Sequence, residues 1–248
     1  MTKKKQAFLS LTGLTIMIVL LVGVSYSLTD YSQIPKNNMI TTGSLIFDFD
    51  NTEAVLKNKY PISYDEMINE EYGNEENNSL IVNFRINGYN SLPNGVNFKI
   101  TLSLDKEKSG DKLFDDSVIY AQIIPKKLMP GYSVVDFGAN EGLTFGSVGK
   151  GAPLTGINMG NELSMLIGNV HTAAPDAYQD FEIRIWLDSS KVIVSDTINR
   201  DINNRAIDVN DLENNFIAAS NEDLGKVVYR TSEFNEMISA IKIKTVNY

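Results

Sequence analysis

The chain has 248 residues, 43% of them hydrophobic, enough to bury one sizeable core or two small ones. Its formal net charge is -9 and its pI about 4.7, so phosphate backbones repel it and nucleic acid is excluded as a natural partner. Cysteine is absent, so no disulfide contributes and stability has to come from burial.

The chain opens with Lys3, Lys4 and Lys5, followed by "QAFLSLTGLTIMIVLLVGV" and then "SYS". A basic start, an apolar stretch and small residues at Ser25 and Ser27 form a secretory signal pattern, with cleavage expected after Ser27. The alternative is an uncleaved membrane anchor, since residues 7 to 24 are near the shortest stretch that spans a bilayer. Either reading exports the remainder, because the lysines stay on the cytoplasmic side. Cleavage would remove three lysines and no acid, leaving a still more acidic product.

Residues 28 to 38, "LTDYSQIPKNN", form a polar leader with no core of its own. "MITTGSLIFDFD" (39 to 50) alternates through Leu45, Phe47 and Phe49 and reads as a first strand. Ser63 followed three residues later by Glu66 is a capping box, predicting a short helix that ends by Gly73. Leu80 to Ile86 and Val96 to Leu104 alternate as strands around "NGYNSLPNG", which predicts an antiparallel pair joined by a hairpin-like loop. "DSVIYAQIIP" (116 to 125) is a further strand and "GYSVVDF" (131 to 137) a short edge strand. The glycine-rich run from Gly138 to Gly160 reads as irregular.

"ELSMLIGNVHT" (162 to 172), "FEIRIWLDSS" (181 to 190) and "SAIKIKTVNY" (239 to 248) supply three more strands. In the second of these, Phe181, Ile183, Ile185 and Leu187 share one face. The only Trp, Trp186, falls on the other face with Glu182 and Arg184. A large aromatic on an otherwise polar face implies that this face is covered, by the insertion or by a partner; the alternative is a half-exposed cross-strand aromatic. Residues 189 to 236 interrupt the strand pattern and read as an insertion packed on one face or end of the sandwich, a candidate cover for Trp186. Within it, "VNDLENNFIAA" (209 to 219) reads as a helix with Asp208 as N-cap, and "GKVVYR" as a short strand. About eight strands, regular turns and no long helix predict an all-β, antiparallel β-sandwich, with short helices in loops and an insertion near the C-terminus. Residues 28 to 248 are expected to form one domain.

Catalytic patterns are missing. His171 is the only histidine, so a two-histidine zinc site is impossible, and no G-x-S-x-G elbow accompanies it. "GSVGKG" (146 to 151) fails as a phosphate loop, because Thr144 stands where glycine is needed and Gly151 replaces the metal-binding hydroxyl. "DINNRAIDVNDLE" from Asp201 fails as a calcium loop, with Arg205, Ala206 and Leu212 at positions that need an oxygen, a glycine and a glutamate. No catalytic, cofactor or metal residue is therefore assigned.

Several stretches in order resemble the TasA/camelysin family of exported Gram-positive surface proteins. They are the "LLVGVSYSL" end of the signal, "MITTGSLIFDF", "LKNKYPISYDE", "NFRINGYNSLPNGVNFKITLSLD", "ELSMLIGNVHTAAPDAYQDFEIRIWLD" and "SAIKIKTVNY". The departure is 189 to 236, where the family has a short link. The resemblance implies a jelly-roll-like sandwich at the cell surface and extracellular fibres of the biofilm-matrix kind. In these an N-terminal segment of one subunit completes the sheet of the next, so the implied partner is a second copy. Residues 28 to 40 would supply that strand here, with Ile34 and Ile40 as candidate anchors. A membrane-anchored or secreted adhesin is the alternative. The metalloprotease activity described for some relatives finds no matching ligands in this sequence.

Overall fold

The computed structural model describes residues 40–42, 45–88, 96–127, 151–170 and 178–247. In chain order the strands are β1 (Ile40–Thr42), β2 (Leu45–Phe49), β3 (Glu53–Leu56), β4 (Leu80–Gly88), β5 (Val96–Leu104), β6 (Ile119–Lys127), β7 (Ala152–Pro153), β8 (Leu163–Val170), β9 (Tyr178–Leu187), β10 (Val192–Val194), β11 (Val227–Tyr229) and β12 (Ser239–Asn247). Helices are few and short: α1 (Tyr64–Asn69), α2 (Thr231–Phe234) and a 3-10 turn at Ile157–Met159. An antiparallel sheet of six strands, in the order β1-β2-β4-β9-β6-β7, faces an antiparallel sheet of four, β3-β12-β5-β8. The fold is thus an all-β sandwich.

Period-two alternation accounts for the core. Phe47, Val82, Phe84, Ile86, Ile123 and Ile183 point inward from the larger sheet. Leu56, Ile100, Leu102, Ile241 and Ile243 meet them from the smaller one in a single buried cluster. Register places Phe49, Phe84 and Phe181 side by side, and their rings stack at 5.0 and 4.9 Å between centroids.

The expected hairpin between the strands at 80–86 and 96–104 does not form. β4 pairs with β2 and β9, whereas β5 lies in the other sheet between β12 and β8. A polar turn sequence signals a reversal without specifying the sheet to which the chain returns. The stretch expected to be one strand (39 to 50) contains two, β1 and β2, paired antiparallel with Ile40 opposite Phe47. The short edge strand expected at 131–137 lies outside the described residues.

Within the insertion, "GKVVYR" is a strand as expected, but β11 pairs parallel with β10. The helix expected at 209–219 is absent. The Asp211 carboxylate accepts the N–H groups of Glu213 (3.1 Å) and Asn214 (3.2 Å), Asn215 has φ of 59°, and Asp211 and Phe216 form a bridge. Asp and Asn side chains bind nearby backbone and compete with the helix, here producing a tight hairpin turn instead.

Candidate functional site

Three regions combine exposure with unusual chemistry. The first is the outer face of the six-stranded sheet, where β9 is a central strand buried on both sides. Phe181 through Leu187 are all buried, including Glu182, Arg184 and Trp186. The outer face of β9 is therefore covered, and Trp186 is not half-exposed. The cover over Trp186 is neither the insertion nor a partner but the segment leading into α1. Ile62 and Met67 bury the indole, Tyr64 meets it edge-on at 6.2 Å and Tyr120 lies 5.8 Å away. Ser63 caps α1 with the predicted capping box, its side chain accepting Glu66 N–H while the Glu66 carboxylate accepts Ser63 N–H.

Next to the indole, Arg184 donates to Glu182 at 2.8 and 2.7 Å and to the Met67 carbonyl at the end of α1. Lys126 reaches the other Glu182 oxygen at 2.5 Å. The buried carboxylate is thus held by two cations, and one of them ties the helix to the sheet. Beyond it the same face opens into a polar groove of about 260 Å³ between Asp48, Asp50, Arg85 and Lys126. Arg85 grips Asp180 with two bonds of 2.6 and 2.9 Å, and Tyr72 at the rim is held above its usual pKa chiefly by its hydrogen bond to Asp50.

The second region is the edge of the four-stranded sheet. β8 pairs with β5 on one side, and among the described residues no strand pairs with its other side. Its sequence, LSMLIGNV, contains no charge and no proline. Sheet edges are ordinarily blunted by lysine, proline or short length, and β8, with eight residues, has none of these devices. Register with β5 pairs Leu163 with Leu102, on the core side, and Ser164 with Thr101, on the other face.

The third region lies where the insertion meets the sandwich. Val192, Val227, Tyr229 and Phe234 belong to the main core, while Ala206, Ala219 and Val228 make a small satellite core. Phe114 packs edge-on against Tyr229 (5.9 Å) and Phe234 (5.5 Å), and the Tyr229 hydroxyl accepts the Asp115 N–H at 2.7 Å. Burial, its largest cause, pushes the Tyr229 pKa up to about 12. Glu233 forms two bonds with Arg200, at 2.6 and 2.7 Å, and its pKa falls to about 2, chiefly through that pairing. A cavity of about 270 Å³ opens at this junction.

Of the residues singled out in the sequence, Trp186 and Ile40 fall within the described residues. Ile34, Ser25, Ser27, His171 and the apolar stretch 7 to 24 lie outside them. The Asp201 stretch is a turn in which the Asp201 carboxylate accepts the N–H groups of Asn203 and Arg205, both at 2.8 Å. Among the described residues no group of three His, Cys, Asp or Glu side chains could hold a metal ion. Sequence reading missed the β8 edge, although the uncharged run LSMLIGNV is its signal, and the junction cavity, whose parts come from distant segments. No family model, no curated protein and no solved structure matches the chain.

Proposed function

We propose that this protein is an exported structural subunit of the cell surface that assembles by strand donation, an extended N-terminal segment of one copy adding to the β8 edge of the next. The observation that carries this reading is β8 itself: a long, uncharged, proline-free edge with one side unpaired among the described residues. The resemblance to the TasA/camelysin family supports it. So does the alternation of strands, with β2, β4, β6 and β9 in one sheet and β3, β5, β8 and β12 in the other. We read this alternation as jelly-roll-like. The donor would be residues 28 to 40, with Ile34 as an anchor. Ile40 at its end pairs within its own chain.

Electron microscopy of the protein after concentration tests the reading. Every second residue of an edge strand directs its N–H outward, so a proline scan of residues 164 to 167 separates two effects. Proline at outward positions is expected to abolish fibres while leaving the melting midpoint near that of the parent. Deleting residues 28 to 39 is expected to do the same. Fibres that persist in both variants would refute strand donation at this edge. A binding module is the second reading, favoured by the cavity beneath the insertion.

A further inference from the structure

The junction cavity is assembled from five separate parts of the chain, near residues 113–116, 158, 203–204, 227–229 and 237. Leu113, Phe114, Val227 and Met237 form its apolar wall, and Asp115, Asp116, Asn158, Asn203 and Asn204 supply polar groups. The state of each polar group follows from its bonds. Asp115 is committed: one oxygen accepts from Ser117 at 2.9 and 2.6 Å, and the other faces the Arg205 guanidinium at 3.3 Å. Asp116 uses only Oδ2, which accepts the N–H groups of Gly156 (2.9 Å) and Asn158 (3.2 Å). Among the described residues its Oδ1 has no partner and its carboxylate forms no ion pair.

Asn158 donates Nδ2 to the Phe114 carbonyl at 2.8 Å, and since a carbonyl can only accept, the amide orientation is fixed. Its Oδ1 is then buried with no hydrogen-bond partner among the described residues. Asn203 and Asn204 sit on a tight turn closed by Asp201, with Asn204 at φ of 60°. Among the described residues their side-chain amides are uncommitted.

The uncommitted groups are therefore rich in acceptors, carry one negative charge and lie against an aliphatic wall. We propose that this cavity binds an alkylammonium group, as carried by a lysine side chain or a free diamine. An ammonium offers three N–H donors, which suit Asp116 Oδ1 and the asparagine oxygens of the 203–204 turn, and its carbon stem would lie along Leu113 and Met237. Phosphate and carboxylate ligands would meet the charge of Asp116, and the nearby Arg205 is already engaged by Asp115. A neutral sugar lacks a stacking platform, because Phe114 and Tyr229 are 0% and 3% exposed. This inference goes beyond the assembly proposed above and does not depend on it.

Ligand-observed NMR on the full-length protein tests it with four probes: Nα-acetyl-lysine methylamide, 1,5-diaminopentane, Nα,Nε-diacetyl-lysine methylamide and methyl glucoside. The two ammonium probes are expected to saturate. The diacetylated probe should bind at least about tenfold more weakly, the loss of one charge-assisted hydrogen bond set. Tighter binding of the lysine derivative would point to a peptide side chain as the source, and tighter binding of the diamine to a free amine. Asp116→Asn retains an oxygen for the two backbone donors but removes the charge, so about a tenfold loss of affinity at an unchanged melting midpoint is expected. Should that variant fail to fold, Asn203→Ala, on an exposed turn, is expected to weaken the ammonium probes severalfold. The proposal is overturned if no ammonium probe saturates by ~50 mM. It is equally overturned if the diacetylated probe or the glucoside binds as well, or if the folded variants bind like the parent.

Discussion

Gly151 lies against the buried tryptophan at a φ of 59°, in the left-handed region. A β-carbon built there would sit 2.3 Å from Trp186 Cη2 and 3.2 Å from the Ala121 carbonyl oxygen. Gly151→Ala therefore combines two costs. Holding alanine at positive φ costs about 1 kcal/mol. The clash adds about 1–3 kcal/mol, because the ring is fully buried between Ile62, Met67, Tyr64 and Tyr120 and cannot retreat without displacing α1. The sum, about 2–4 kcal/mol, corresponds to a fall in the melting midpoint of about 5–15 °C for a domain of this size. Gly73 provides the control: its φ is 84°, yet nothing lies within 4 Å of a β-carbon there, so Gly73→Ala carries the backbone cost alone. The assay is urea unfolding followed by tryptophan emission and by far-ultraviolet circular dichroism. The chain has one Trp, so the emission reports from the perturbed site. Equal destabilisation by the two substitutions would refute the account of Trp186 as an indole locked between sheet, helix and loop.

Two further outcomes follow from the charge networks. Arg184→Ala leaves Glu182 buried with Lys126 as its remaining cation and frees the carbonyl at the end of α1, so a loss of about 3–4 kcal/mol is expected in denaturant unfolding. Replacing both charges, as Arg184→Met with Glu182→Leu, should recover most of that loss. For Glu233 the folded pKa of about 2 lies below its ordinary 4.5. Its contribution is therefore complete above pH 4.5 and is lost as the pH falls from there towards 2. The Glu233 side chain is 37% exposed, so solvent screening reduces the contribution to about 1–2 kcal/mol. Subtracting the pH–stability profile of Glu233→Gln from that of the parent should expose a step in this window, and parallel profiles would show that the pair contributes nothing.

Local periodicity made the strands readable, since alternating residues such as Phe47 and Phe49 or Ile241 and Ile243 need only their own spacing to reveal an inward face. The capping box of α1 was readable for the same reason, because Ser63 and Glu66 satisfy each other within one turn. What periodicity could not supply was the position of each element in the assembly. The alternation in β9 distinguishes two faces but does not say that the second is buried, and α1, some 120 residues earlier in sequence, provides that cover. The strands β4 and β5 look like hairpin partners because nothing local records a crossing between sheets. The junction cavity was hidden more deeply, since residues near 115, 158, 203 and 229 come together only through packing. At 209–219 the misreading was local: Asp211 and Asn215 favour a turn strongly enough to outweigh the apparent helix cap at Asp208.

The parallel pairing of β10 with β11 places Val192 opposite Val227 and returns the chain to the sandwich beside its point of departure. The stretch between Ser195 and Lys226 thus starts and ends side by side, and both ends of that neck are fixed by the main core. Loop-closure entropy grows only by about 0.6 kcal/mol for each doubling of length when the ends are held together. Length can therefore be added at its exposed turn, residues 209 to 215, with little effect on the two sheets, whereas Arg200, Arg205, Ala206 and Ala219 are tied to the sandwich. That turn is a natural cassette, where lineages could diversify what the surface displays and where a foreign peptide could be grafted.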